Sequence, residues 1–197
     1  MPGRSLSVNE LVKKETSVII NLRFTYKNVP VTLLERFTFK EPCEVSKEIC
    51  AFSHVDECVV LQTCNRVEVF AVTTENYMFK SAAEIAEYWR QRNNLGIEEF
   101  YQNLERAFNS EVLIHLLRLT SGLESMIVGE DQILGQVQKS FEEARESGTV
   151  GWFLKTTFEK AINTGKKVRF KTKINKGTVS IGSAAAELLE ESIGGLR

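Results

Sequence analysis

No apolar run in this chain approaches the 18 or more residues that a membrane-spanning helix needs. The first sixteen residues, MPGRSLSVNELVKKET, lack the apolar centre of a secretory signal. An excess of charge of one sign is missing too. Twenty-five Lys and Arg stand against 26 Asp and Glu, a net charge of −1, so a globally basic nucleic-acid binder is not indicated and only a local basic patch is admitted. Cys43, Cys50, Cys58 and Cys64 are separated by six, seven and five residues, never by the two to four of a zinc knuckle. His54 and His115 are the only histidines. No metal site is expected, and without an export signal the four thiols read as reduced. There is no internal repeat and no low-complexity linker. The expectation is a soluble, cytoplasmic protein with no membrane partner.

The 197 residues are 43% hydrophobic and 26% charged, an ordinary globular composition. That length suits one domain, or one plus an appendage, with a core large enough to need no staples. The N-terminal part alternates strands with helices. Ser17 to Phe24 is β-branched and apolar enough for a buried strand. Pro30 opens a turn or two of helix through Phe37, and Glu44 to Phe52 is a second helix beyond Pro42. Cys58–Gln62 and Val67–Val72 read as strands around Thr63-Cys64-Asn65-Arg66, with Glu68 the charged member of the second. Asn76 caps a helix running to Asn93, and Leu104–Phe108 returns as a strand. The order β-α-β-β-α-β predicts an α+β fold with a ferredoxin-like sheet. From Ser110 onward the chain reads as helical: Glu111–Leu123, Gln132–Glu146 closed by Gly148, Trp152–Thr172, and Val179–Ser192.

Thr63-Cys64-Asn65-Arg66 is the stretch richest in chemistry. A thiol at a turn between two strands is held on a rigid frame, where turn amides and a nearby guanidinium favour the thiolate. Arg66 offers a planar fork suited to a carboxylate. The same letters also describe a semi-buried structural cysteine and a surface arginine. A second stretch runs from His115 to Gln136. It gathers Ser125, Glu130, Gln132 and Gln136 around a helix entrance, with the two glutamines four apart on one face. A capping loop with surface glutamines accounts for those letters equally, and a lone histidine on an apolar helical face is often a satisfied core group. Six Lys and Arg between Lys166 and Lys176 read either as a phosphate-contacting surface or as cations suited to a helix C-terminus.

Taken together, these blocks resemble the glutamyl-tRNA reductase family. The likeness rests on Thr63-Cys64-Asn65-Arg66 with Glu68, on His115 leading to Ser121-Gly122-Leu123-Glu124-Ser125, on Gly129 to Val137, and on Thr178-Val179-Ser180-Ile181 before Ala184 to Leu188. Tyr26 stands where the family usually has His, Gln62 where it has Ser, and Asp131 where Pro is common. The resemblance implies that Cys64 is a nucleophile that takes the glutamyl group of glutamyl-tRNA as a thioester. NADPH then reduces the thioester to glutamate-1-semialdehyde, the first step of tetrapyrrole biosynthesis. It further implies that Arg66 clamps a glutamate carboxylate and that His115 assists or tunes the thiol. Thr63, Asn65, Ser125, Glu130, Asp131, Gln132 and Gln136 would shape the substrate pocket. No Gly-x-Gly-x-x-Gly turn is present for a nicotinamide cofactor. The expected division is therefore an extension at 1–16, a catalytic domain at 17–150 and a helical connector at 151–197. The expected activity of the chain alone is thioester formation and slow hydrolysis, with NADPH bound elsewhere in the full protein. A homodimer and hand-over to glutamate-1-semialdehyde aminomutase are implied for that full protein. A non-catalytic tRNA-binding or regulatory module, and a thiol hydrolase or acyltransferase on another ester, are the competing readings.

Overall fold

A computed structural model describes residues 16–52, 54–172 and 174–175. Four strands, β1 (Ser17–Thr25), β2 (Glu57–Thr63), β3 (Arg66–Thr74) and β4 (Glu105–Phe108), form one sheet in the order β2-β3-β1-β4 with every neighbouring pair antiparallel. That order, with helices between β1 and β2 and between β3 and β4, is the expected ferredoxin-like arrangement. The helices are α1 (Val31–Leu34), α2 (Pro42–Cys50), α3 (Met78–Arg92), α4 (Ile97–Asn103), α5 (Ser110–Thr120), α6 (Gln132–Glu146) and α7 (Trp152–Thr172). The expected helix at 179–192, most of the extension at 1–16, and Lys173 and Lys176 lie outside the described residues.

Strand alternation sends successive side chains to opposite faces, and here both faces are covered. Ile20, Leu22 and Phe24 of β1 join Val67, Val69 and Ala71 of β3 in a first core under α1 to α4. Phe24 packs there against a tilted Phe37, with ring centroids 4.2 Å apart, and meets Trp89 edge-on at 5.0 Å. The Trp89 indole N–H donates to the Phe37 carbonyl at 2.8 Å, so burying this ring leaves no polar atom orphaned. On the opposite face Ile19, Val59, Leu61, Phe70 and Val72 form a second core with α5, α6 and α7.

Helix α7 enters this second core through Leu154, Phe158, Ala161 and Ile162. Its N-terminus is capped from the sheet, where the Glu57 carboxylate accepts the Phe153 and Leu154 amides at 2.9 and 2.7 Å. The division expected at 150/151 therefore crosses a shared core. Short helix α4 did not stand out in the sequence. It is seven residues long, begins after Gly96 and is anchored by the buried Phe100.

Candidate functional site

The second face of the sheet changes character along its length. Beyond Ile19 and Phe70, the residues on that face become Asn21, Arg23 and Thr25 on β1 and Glu68 and Arg66 on β3, with Arg23 opposite Glu68 and Thr25 opposite Arg66. The core there becomes polar, at the end of the sheet where the β2–β3 hairpin turns.

That turn consists of Cys64 and Asn65, between Thr63 and Arg66, which pair across it. Neither residue has a positive φ, so the turn is not of the type I′ that two-residue hairpins favour. It is held by other means. The Asn65 amide donates to the Thr63 hydroxyl at 3.1 Å, and the Asn65 carbonyl accepts the Tyr26 amide at 2.9 Å. Thr63 and Asn65 thus shape the turn, and Cys64 at its tip is exposed. The other thiols differ from it: Cys58 is buried, Cys43 and Cys50 are half-buried, and burial pushes Cys50 up to about 11.

Arg66 does not lie free beside the thiol. It is 2% exposed, its Nη1 donates to Glu68 at 2.9 Å, and its Nη2 donates to the Glu124 carbonyl. Glu68 is fully buried and accepts three donors: Arg66, Asn21 Nδ2 at 3.1 Å and His115 Nε2 at 2.8 Å. Burial alone would raise its pKa. The His115 imidazole and then the Arg66 guanidinium outweigh that and hold the carboxyl well below its usual range. Because the carboxylate can only accept, His115 carries its hydrogen on Nε2 and its ring orientation is fixed from below. Asn21 Oδ1 in turn accepts Arg23 Nη1 at 2.8 Å, and Arg23 Nε donates to Glu105 at 2.7 Å.

A cleft of about 280 Å³ opens over this network, lined by Arg23, Lys27, Arg66 and Arg118 among the cations, by Glu105, Glu111 and Glu124, and by His115. Glu124 sits between Lys27 and Arg118, the latter at 2.5 Å. Burial pushes its carboxyl up, but hydrogen bonds and charge from those two cations bring it down to about 2. A depressed carboxylate contributes stability that is complete above its unfolded value of about 4.3 and is lost as pH falls through the folded one. Thermal unfolding followed from about pH 5 to about pH 2.5 is therefore expected to show an acid destabilisation in the wild type that is smaller in Glu124→Gln. Equal slopes for the two proteins would contradict this.

Loop 121–131, between α5 and α6, carries the rest of the expected site. Ser125 is buried. Its carbonyl accepts the Tyr26 hydroxyl at 3.2 Å, while its own hydroxyl has no hydrogen-bond partner among the described residues. Glu130 offers its backbone carbonyl to Arg169 at 2.9 Å. Asp131, expected in the pocket, points instead toward the end of α7, where its carboxylate accepts Arg169 Nε and Asn175 Nδ2, each at 3.1 Å. Gln132 is exposed and Gln136 half-buried on the first turns of α6. The structure thus brings Thr63, Cys64, Asn65, Arg66, His115 and Ser125 to one end of the sheet and turns Asp131 away. Sequence reasoning passed over Asn21, Lys27 and Arg118, and took Tyr26 only as a departure from the family pattern. Of the basic run, Lys166, Lys167 and Lys171 are exposed, whereas Arg169 is buried and belongs to the interior. No group of three His, Cys, Asp or Glu among the described residues is placed to hold a metal ion, and no described helix is long and apolar enough to cross a membrane.

Residues 22–172 match the family profile described as glutamyl-tRNAGlu reductase, N-terminal domain. A glutamyl-tRNA reductase of Cenarchaeum symbiosum is 45% identical over 175 residues, 89% of this chain and 41% of the relative. One from Methanosarcina mazei is 42% identical over 180 residues, 90% of this chain and 38% of the relative. The solved structure of glutamyl-tRNA reductase from Methanopyrus kandleri superposes with a TM-score of 0.69 at 38% identity, covering 88% of this chain and 39% of that one. The chain therefore spans about two fifths of the length of these relatives.

Proposed function

The chain belongs to the family of the glutamyl-tRNA reductase N-terminal domain, and on that premise we propose that it carries the acyl-transfer half of the reaction, with Cys64 as the nucleophile. The observation that carries this reading is the exposed thiol on a turn clamped from β1, two residues before Arg66, which joins Glu68 and His115 beneath the cleft. The thiolate sulfur attacks the carbonyl carbon of the glutamyl ester. The C–S bond forms, the C–O bond to the terminal ribose breaks, and the departing ribose oxygen takes a proton. His115 assists or tunes at this step, its ring set by Glu68. The orphan Ser125 hydroxyl and the charged wall of the cleft, where cations and carboxylates alternate, are suited to the polar groups of a bound glutamyl moiety. Arg66, with both Nη atoms engaged inside the protein, acts by holding the site together as much as by meeting substrate.

For the longer protein we propose the family's complete activity, NADPH-dependent formation of glutamate-1-semialdehyde at the head of tetrapyrrole biosynthesis. A cytoplasmic homodimer that hands its product to the aminomutase is part of the same proposal. The described residues do not fit a nicotinamide dinucleotide. Their sheet is antiparallel throughout, whereas such cofactors take a parallel strand, glycine-rich turn and helix, so no hydride step is placed on them.

The test is single-turnover incubation of labelled glutamyl-tRNA with the wild-type chain and with Cys64→Ser, trapping in acid and assaying free glutamate. A thiol-labile adduct is expected in the wild type and none in Cys64→Ser. Wild-type protein that binds the charged tRNA and leaves its ester intact would instead support the binding-module reading. Cleavage of small esters without a tRNA requirement would support a general thiol hydrolase.

A further inference from the structure

Lys166, Lys167 and Lys171 of the basic run are exposed, but Arg169 points the other way, into the angle between α7, α5 and loop 121–131. It is 9% exposed and touches three segments. Its Nη1 donates to the Thr120 carbonyl at the end of α5 and, at 3.3 Å, to the Gly165 carbonyl one turn back. Its Nη2 donates to the Glu130 carbonyl at 2.9 Å, and its Nε to Asp131 at 3.1 Å. Only a planar guanidinium can serve acceptors spread in this way, because a lysine has three donors on a single atom.

These acceptors sit at the neck of the loop. Gly129 donates its amide to the Gly122 carbonyl at 2.9 Å, closing the loop on itself. Gly122, at φ +82°, packs so tightly that a Cβ there would lie 3.0 Å from Gly129 Cα and 3.2 Å from Arg169 Nη2. Beyond the neck, the tip carries Glu124 and Ser125 to Arg66 and Tyr26. One end of the loop is thus fastened to the sheet beside Cys64, and the other to α7.

We propose that Arg169 is a positioning residue for acyl transfer: it fixes the neck of loop 121–131 and the end of α5, and so places Ser125, Glu124 and His115 relative to Cys64. This rests on the reading of Cys64 as the nucleophile. Arg169 touches no reacting atom and acts through the loop backbone.

The experiment compares wild type, Arg169→Met and Arg169→Lys in two measurements. In single-turnover acylation by glutamyl-tRNA, Arg169→Met is expected to lower the limiting rate about 100-fold, as a displacement near 1 Å can do, while the half-saturating tRNA concentration moves little. Arg169→Lys, which keeps the charge and part of the bonding, is expected to fall between the two. In amide hydrogen exchange, the Leu123, Gly129 and Glu130 amides are expected to exchange faster in Arg169→Met while those pairing β1 with β3 stay protected. An unchanged acylation rate overturns the proposal. So does faster exchange spread evenly over the sheet, which would mark a purely structural role. Failure of the wild type to acylate overturns the Cys64 reading, and a protected loop in Arg169→Met overturns the positioning role whichever way that result falls.

Discussion

Glu68→Ala is expected to destabilise the fold by about 3–5 kcal/mol, the range found when one partner of a buried ion pair is removed. The carboxylate is fully buried and is the common acceptor of Arg66, Asn21 and His115. Removing it leaves a guanidinium that is itself 2% exposed with no counter-charge in an interior that cannot solvate it. Urea unfolding should show a lowered midpoint with little change in slope. Glu68→Gln keeps the shape and is expected to be milder, since the amide oxygen still accepts one donor. The double variant Glu68→Gln/Arg66→Met should be less destabilised than the sum of its single variants, because the stranded charge leaves along with its partner. A loss below about 1 kcal/mol in Glu68→Ala would mean that water reaches the network. The pH dependence has a fixed sign: with its pKa lowered by folding, Glu68 stabilises fully above its unfolded value and ceases to do so only in strong acid.

The second large effect is expected at a helical glycine. Gly165→Ala should stabilise by about 1 kcal/mol on helix propensity alone. Here the added Cβ would lie 2.4 Å from the Thr120 carbonyl oxygen and 2.8 Å from its carbon, both backbone atoms that cannot swing aside. Helices α5 and α7 must then separate. That strains the bond from the Thr120 hydroxyl to the Ala161 carbonyl, 2.9 Å, and the grip of Arg169 on the Thr120 carbonyl. Overpacking costs about 1–3 kcal/mol where side chains can yield and more where they cannot, so a net loss of about 2 kcal/mol or more is expected. Gly135 provides the control. It is an exposed glycine on α6 with nothing within 4 Å of its would-be Cβ, and Gly135→Ala should stabilise by about 1 kcal/mol. Opposite signs at two helical glycines in calorimetry would establish the close approach, and a gain at both would refute it.

Much of the architecture was legible because the buried strands are rich in β-branched and apolar residues and helix α7 is long. Helix boundaries were less so, for local reasons. The helix expected from Asn76 begins with a 3₁₀ turn at Glu75–Tyr77 and no side chain caps it. Asn109 stands at the N-cap position of α5 but makes no capping bond: it sits at φ +49° and its carboxamide oxygen accepts the Ile19 amide of β1 instead. The site was legible in its parts and less so in its wiring. Arg66 looked like a fork for substrate, yet it and Glu68 are two apart on a strand and therefore share a face, a signal that the charges would meet each other. No comparable signal existed for Asp131. Its partners Arg169 and Asn175 lie about forty residues away, on α7 and just beyond its end, and only the packing of α7 on α5 brings them together.

The order of the sheet also bears on how the chain comes to fold. Strand β1 is central, flanked by β3 and β4, and its apolar residues serve both cores. Its second neighbour, β4, pairs Phe108 with Ile20 and is made last among the strands. At roughly 5–20 residues per second of synthesis, β1 waits on the order of 5–20 s for that edge to be covered. An uncovered apolar strand is a template for pairing with other chains. Nascent chains of this protein should therefore depend on holding chaperones until β4 emerges, and shortening before Glu105 should yield aggregates rather than a smaller soluble domain.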